Sequence, residues 1–210
     1  PAASRNRILA ALKVIFKTAS VWGYVPHDPA VPVKMEREDI KTKDVLDDGE
    51  FERLLAELSD DNRRVVLVAA DTGMRRAELE RLAWDDVDLI SGELRVVQAK
   101  NGEFRVVPLT DRLHSLLAEL KRSAKVHPKA PVFEAVVDNR ALTAALARVG
   151  IDKHITLHSF RHQFATRALE RGMSSFHLQA IGGWKSPVML QRYGKVRNAA
   201  LHEQMAKLNG

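Results

Sequence analysis

The sequence predicts an α+β fold that is mostly helical and carries a small antiparallel β-sheet. Apolar residues recur at helical spacing through most of the chain. Two short valine-rich runs, 94–97 and 104–107, flank Asn101-Gly102, a pair typical of hairpin turns. The apolar share of 45% is enough for a buried core, and the lack of cysteine excludes disulfides, thiolate metal sites and cysteine nucleophiles.

The first 40 residues predict a separate N-terminal unit. Ile8, Leu12 and Phe16 recur at helical spacing, which predicts a helix over 5–21. Prolines at positions 26, 29 and 32 then enforce an extended connector, because proline cannot continue a helix. We therefore expect two domains, residues 1–40 and 41–210. Because the sequence opens on proline rather than methionine, we also expect the natural N-terminus to lie further upstream.

The second domain should consist mainly of helices. Asp47 and Glu50 have the spacing of a capping box, so a helix should begin there. Residues 63–71 are apolar almost all round, which predicts a buried helix that ends at Thr72-Gly73. Further helices are expected over 74–83, 111–125, 139–149, 157–171 and 175–181, with a short one opened by Ser186-Pro187 and a last one over 198–208.

The excess positive charge is concentrated in one part of the chain. Of the net charge of +6, the segment 153–197 alone carries +7, from eight lysines and arginines against Glu170. Such a segment could form a polyanion-binding surface or simply the solvated face of basic helices. The longest apolar run, 65–70, is too short to cross a bilayer and no export leader precedes the first helix, so we expect a cytoplasmic protein with no membrane partner.

Two short motifs in the first half could carry chemistry. The helix break at Gly73 could aim Arg75 and free backbone N–H groups at an anion, although a kink with a surface arginine also explains it. Lys100, beside the predicted hairpin turn, could act as a point charge or a proton donor, or could be a solvated turn residue.

A third motif opens the predicted helix over 157–171. With Thr156 as the N-cap, His158 and Arg161 share one helix face near the positive end of the helix dipole, where a phosphate could bind. The alternative is a metal site formed by His154, His158 and His162. It is disfavoured because His154 precedes the cap and no acidic ligand lies nearby.

The fourth motif runs from Gly182 to Gly194. Tyr193 ends a short predicted helix within the basic segment, where neighbouring cations would stabilise its phenolate for nucleophilic attack. Taken by themselves, Tyr193 and Trp184 could equally be half-buried aromatic residues without a chemical role.

Together, the four motifs resemble the catalytic domain of the tyrosine recombinase (phage integrase) family in order and spacing. The resemblance covers residues 41–208, and residues 6–22 resemble the last helix of the family's core-binding domain. It implies the DNA breaking-rejoining fold and a catalytic set of Arg75, Lys100, His158, Arg161, Trp184 and Tyr193. Most members have histidine where this chain has Trp184, so an indole N–H donor replaces a possible proton shuttle.

The resemblance also implies a role for each of these residues. Arg75 and Arg161 would neutralise the phosphate oxygens, and Tyr193 would form a 3′-phosphotyrosine intermediate. Lys100 would protonate the departing 5′-oxygen. His158 would hold the phosphate or take the tyrosine proton, and Trp184 would brace the phosphate. We expect neither a cofactor nor a metal ion.

The implied function is site-specific cleavage and rejoining of double-stranded DNA by a phage, prophage or mobile-element enzyme. The partner would be double-stranded DNA, bound by a homotetramer whose subunits are coupled through the helix over 198–208. Additional DNA contacts are expected from Lys153, Arg167, Lys185, Arg192 and Lys195. Two alternatives are a type IB topoisomerase-like enzyme and a catalytically silent DNA-binding relative.

Overall fold

The computed structural model describes residues 2–37, 44–97, 103–123, 127–186 and 189–190. The chain divides into two compact units, Pro1–Thr42 and Lys43–Gly210. Within the described residues, no helix is both long and apolar enough to span a membrane.

The described residues of the first unit form one helix and the connector that follows it. Helix α1 spans Ala2–Val21, as the apolar spacing predicts. The connector folds back along α1, where Glu36 accepts two hydrogen bonds of 2.5 Å from Arg5. Asn6 also exchanges two hydrogen bonds of 2.8 Å with the backbone of Glu36.

In its described residues, the second unit contains seven α-helices, a short 3-10 helix over Trp84–Asp86 and three strands. The helices are α2 Asp48–Glu57, α3 Asp60–Thr72, α4 Arg76–Leu79, α5 Asp111–Ser123, α6 Asn139–Arg148, α7 Leu157–Glu170 and α8 Ser175–Gly182. The strands are β1 Val87–Asp88, β2 Glu93–Val97 and β3 Phe104–Pro108. The predicted class, mostly helical with a small antiparallel sheet, is confirmed.

The start of α2 and the burial of α3 follow the sequence signals. Asp47 and Glu50 form the predicted capping box, each side chain accepting a 2.8 Å hydrogen bond from the other residue's backbone N–H. Helix α3 is buried along most of its length and ends at Gly73, whose positive φ of 64° reverses the chain direction. The predicted buried helix is therefore confirmed.

Helix α4 is shorter than the predicted helix over 74–83. Leu79 and Leu82 are buried as expected, but the helix covers only Arg76–Leu79. Beyond it, the backbone pairs with a distant segment, since Val132 N–H donates to the Leu82 carbonyl at 2.8 Å. This tertiary pairing replaces the hydrogen bonds that would have extended the helix.

The sheet has the order β1-β2-β3, and both pairs are antiparallel. The predicted pairing of β2 with β3 is confirmed, whereas β1, two residues long, is too short to be recognised from alternation. Leu94 pairs with Val107 and Val96 with Arg105, and all four side chains face the core. An arginine thus occupies a core-facing position of β3.

The core packs α3 against α7, and this contact positions the candidate site. Phe51 and Phe160 meet edge to face within it, with 6.0 Å between ring centroids. A smaller apolar cluster joins the second half of α7 to α8 and includes Trp184. The helix predicted over 198–208 and most of the one opened by Ser186-Pro187 lie outside the described residues.

Candidate active site

Arg75 occupies the N-cap position of α4, directly after the turn that ends α3. Its guanidinium donates to Glu78 Oε1 at 2.8 Å and to the Gly183 carbonyl at 3.2 Å. The Arg75 side chain is 42% exposed, so the group is anchored on one side and open to solvent on the other. An anion could approach from that open side.

Arg161 lies in the second turn of α7 and is 2% exposed. Its Nη1 donates to the Gly73 carbonyl at 2.5 Å, which links α7 to the turn before Arg75. Its guanidinium carbon lies 3.9 Å from the centroid of the Trp184 ring, a cation–π contact. These contacts hold Arg161 between Gly73 and Trp184.

Two glycines make these contacts possible. At Gly73, φ is +64° and an added Cβ would lie 2.5 Å from Phe164 Cδ1, so both backbone and space require glycine. At Gly182, an added Cβ would lie 1.7 Å from Trp184 Cζ3, since the indole covers this position. The sequence motifs Thr72-Gly73 and Gly182-Gly183 thus define the shape of the site.

The structure brings Arg75, Arg161 and Trp184 together from three distant parts of the sequence. Arg161 donates to the carbonyl of Gly73, two residues before Arg75, and Arg75 donates to the carbonyl of Gly183, directly before Trp184. The two arginines are therefore linked through the backbone of these two turns. Lys100 and Tyr193 lie outside the described residues, and their predicted roles remain predictions.

His158 is exposed in the first turn of α7, and its ring meets that of His162 at 4.9 Å between centroids. Thr156 is the N-cap, as predicted, and Ser159 Oγ accepts from its backbone N–H at 3.0 Å. His154 precedes the helix and donates its backbone N–H to Asp44. In the described parts of the chain, no three His, Asp or Glu side chains are grouped as metal ligands would be.

The sequence motifs assign no role to Glu78 or Arg105, although both residues contact the site. Arg105 donates to both Glu78 oxygens, at 3.0 and 2.9 Å, and to the Ile181 carbonyl at 2.7 Å. Burial alone would raise the pKa of Glu78, but the hydrogen bonds and charge of Arg105, with those from Arg75, lower it to about 2. The signal that could have found Arg105 is strand alternation, which places it on the same face as Val107.

Some charges of the basic segment have local partners. Lys153 Nζ donates to Glu50 at 2.5 Å and to the Val45 carbonyl at 3.1 Å. Arg167 lies 3.6 Å from Asp48. Lys185 is exposed next to Trp184, and Arg192 and Lys195 lie outside the described residues.

A protein-family model described as the phage integrase family matches residues 44–199. The chain belongs to the phage integrase family. The match begins at the second unit and includes all four motifs of the predicted catalytic set.

Curated relatives in this family are recombinases. The tyrosine recombinase XerA of Saccharolobus solfataricus is 33% identical over 175 residues, which cover 82% of this chain and 57% of that protein. The shufflon-specific DNA recombinase of Escherichia coli is 28% identical over 194 residues, covering 90% of this chain and 50% of that protein. The chain thus spans about half the length of these relatives.

Solved structures share the fold. A XerA recombinase crystal structure matches with a TM-score of 0.65 and 26% identity, covering 95% of this chain and 75% of that one. The Tn1549 transposon integrase in complex with a circular intermediate DNA matches with a TM-score of 0.80 and 17% identity, covering 96% and 78%. The predicted fold of the catalytic domain is therefore confirmed.

Proposed function

We propose that this chain carries the catalytic domain of a site-specific DNA recombinase, which cleaves and rejoins strands through a covalent 3′-phosphotyrosyl link to Tyr193. The observation that carries the proposal is the contact network that joins Arg75, Arg161 and Trp184 through the carbonyls of Gly73 and Gly183. Two guanidinium forks in one site can neutralise the two non-bridging oxygens of a phosphodiester as charge develops on them.

The two forks would meet the phosphate in different ways. Arg75 has an open side and can bind a phosphate oxygen directly. Arg161 is 2% exposed, so neighbouring side chains must move before an oxygen can reach it. His158, exposed on the first turn of α7, would complete the phosphate site beside the helix N-terminus.

Trapping the covalent intermediate tests this function. Because the target sequence is unknown, the substrate would be a library of duplexes randomised around a nick that releases the leaving strand after cleavage. We expect the parent protein to form a DNA adduct that survives denaturing gels, and Tyr193→Phe to bind the library equally well but form none. Adduct formation by Tyr193→Phe, or DNA binding by the parent without any adduct, would contradict the proposal; the second result would indicate a catalytically silent DNA-binding relative.

We propose Lys100 as the general acid for the 5′-oxygen leaving group. Lys100→Ala should slow cleavage of ordinary DNA by about a hundredfold or more. The defect should largely disappear when sulfur replaces the bridging 5′-oxygen, since a thiolate leaves without protonation. Arg161→Ala is the control, because an arginine that binds the phosphate gains nothing from a better leaving group. Equal impairment of Lys100→Ala on both substrates would exclude this role.

Double-stranded DNA is the proposed partner, with Lys185, Arg192 and Lys195 as proposed contacts. We place Lys153 and Arg167 second, because each has an acidic partner within the domain. Binding that depends on phosphate contacts must weaken steeply with salt, since bound lysines and arginines displace counterions from DNA. A titration of labelled duplex at several salt concentrations should show this, and a salt-independent affinity would contradict it.

We further propose that the active form is a homotetramer on DNA, coupled through residues 198–208. Deleting these residues should leave adduct formation on a nicked duplex largely intact while abolishing complexes of four subunits with paired sites. Light scattering of the DNA complexes measures the difference. A deletion variant that still forms tetramers would contradict the coupling.

A further inference from the structure

Arg105 is a buried charged residue to which the proposed mechanism gives no task. It lies on β3 at a position where the sheet faces the core, and its side chain is 7% exposed. Replacing a buried ion pair with apolar residues is often neutral or stabilising, so such a pair is weak evidence for a role in stability alone. The contacts of Arg105 point instead toward the active site.

The first set of contacts leads to Arg75 through Glu78. Both terminal nitrogens of Arg105 bind the Glu78 carboxylate, at 3.0 and 2.9 Å, which fixes the plane of the carboxylate. The same carboxylate accepts 2.8 Å hydrogen bonds from Arg75 Nη1 and from the Arg75 backbone N–H. The position of the Arg75 fork is therefore set by a carboxylate that Arg105 orients.

The second set of contacts leads to Arg161 through the turn after α8. Arg105 Nε donates to the Ile181 carbonyl at 2.7 Å, and the Arg105 side chain packs against Gly183, where an added Cβ would lie 3.1 Å from its Cδ. The residue after Gly183 is Trp184, which stacks on Arg161. Arg105 thus also holds the turn from which Trp184 projects.

We propose that Arg105 is a positioning residue, which holds the Arg75 guanidinium through Glu78, and the Trp184 ring through residues 181–183 at the end of α8, in the geometry that receives the phosphate. This inference rests on the proposed strand cleavage. The low pKa of Glu78 agrees with it, because a carboxylate that stays ionised keeps both arginine contacts throughout the neutral range.

A purely structural role would make a different prediction. If Arg105 only neutralised Glu78, removing both charges together would restore stability and cleavage alike. If Arg105 positions Arg75, removing both charges restores stability without restoring cleavage, because nothing then orients the Arg75 fork. The double variant Arg105→Met/Glu78→Gln distinguishes the structural role from the positioning role. Met approximates the aliphatic part of arginine, and Gln replaces the carboxylate with a neutral group of the same shape.

The experiment measures single-turnover adduct formation on the nicked-duplex library, the DNA Kd and the melting temperature. Arg105→Met should lower the melting temperature and slow cleavage by about tenfold to a hundredfold, since small displacements of catalytic groups have effects of this size. The double variant should melt near the parent and remain as slow as Arg105→Met. Arg105→Lys keeps the charge, but its donors all sit on one nitrogen and cannot reproduce the planar fork that reaches both Glu78 oxygens and the Ile181 carbonyl, so it should also cleave slowly. In all three, the DNA Kd should change less than about twofold, because the affected contacts matter after binding.

Arg112→Met is the matched control, because it removes another bidentate arginine–carboxylate pair, with Asp71, that makes no described contact with Arg75, Arg161 or Trp184. It should cleave at the parent rate. A double variant whose cleavage returns with its stability, or an Arg105→Lys protein at the parent rate, would overturn the positioning role. If the parent itself formed no adduct, the proposed function would fail together with this inference, whereas parent cleavage with unimpaired Arg105 variants overturns the inference alone.

Discussion

The two arginines of the site are held by different kinds of contact. Arg75 is 42% exposed and is anchored by an ionised carboxylate, that of Glu78, together with a backbone carbonyl. Arg161 is 2% exposed, and its contacts to Gly73 and Trp184 are with a neutral carbonyl and an aromatic face. The contacts described for Arg75 therefore depend on charge, and those described for Arg161 depend on close packing.

This difference predicts separate sensitivities. Changes in pH or in the charge of Glu78 should act first on Arg75, because hydrogen bonds to charged groups are the stronger ones and are lost when the charge is removed. Changes in side-chain volume near Gly73, Gly182 or Trp184 should act first on Arg161, because its neighbours are close-packed. Substitutions in the two regions can therefore be compared directly.

The largest expected effect comes from replacing either arginine by lysine. Lysine keeps the charge but loses the planar fork, so Arg75→Lys and Arg161→Lys should each slow adduct formation by about a hundredfold or more, with little change in DNA affinity. Only Arg161→Lys should also lower the melting temperature, since its ammonium would be buried without reproducing the guanidinium's contacts to Gly73 and Trp184. Cleavage by either variant at near the parent rate would show that this fork is dispensable.

The next effect is the pH dependence of stability that Glu78 provides. Its pKa in the folded protein is about 2, below the ordinary value of 4.5, so folding favours the ionised form. The resulting stabilisation, about 3 kcal/mol, is fully present above pH 4.5 and is lost as the pH falls toward 2. Glu78→Gln lacks this titration. Between pH 5 and pH 3, the free energy of unfolding of the parent should therefore fall by about 2 kcal/mol more than that of Glu78→Gln.

Urea unfolding at several pH values measures this difference. Glu80→Gln is the control, because Glu80 forms an exposed ion pair with Arg76 and takes no part in the Arg105 contacts. Its pH profile should follow that of the parent. Identical profiles for Glu78→Gln and the parent would show that Arg105 and Arg75 do not favour the ionised carboxylate.

The sequence predicted the locally determined parts of the fold and left the tertiary contacts open. The capping box at Asp47 and Glu50 and the buried helix α3 depend on nearby residues, and both were predicted correctly. The shortness of α4 was missed, because it results from pairing with residues near Val132, far along the chain. The spacing of apolar residues within a helix carries no information about a partner so far along the chain.

The same distinction applies to the site. The motifs predict which residues would carry the chemistry, because residue types and spacing are visible in the sequence, and those catalytic roles stay predictions. Glu78 and Arg105 were missed, because their importance comes from a contact between α4 and β3. A charged residue at a core-facing strand position, as at Arg105, is the one local sign that such a partner exists.

A smaller effect on stability is expected at Gly73, which contacts Arg161 and packs closely against Phe164. Gly73→Ala places a Cβ at φ +64° and 2.5 Å from Phe164 Cδ1, so the variant should lose about 2 kcal/mol of stability or more. Gly150→Ala is a matched control, because its φ is +69° and an added Cβ meets nothing within 4 Å. It should lose only about 1 kcal/mol, from backbone strain alone. Equal losses would show that Phe164 moves away freely.

The smallest effect is expected from Trp184→Phe, which keeps an aromatic ring over Arg161 but weakens the cation–π contact. The weaker contact should slow adduct formation by about fivefold to tenfold, which corresponds to about 1 kcal/mol. Trp84→Phe is the control, since Trp84 is equally buried but belongs to the main core. It should lose stability and still cleave at the parent rate once fully folded. Equal slowing in both variants would show that Trp184 acts only as part of the packing and not through its contact with Arg161.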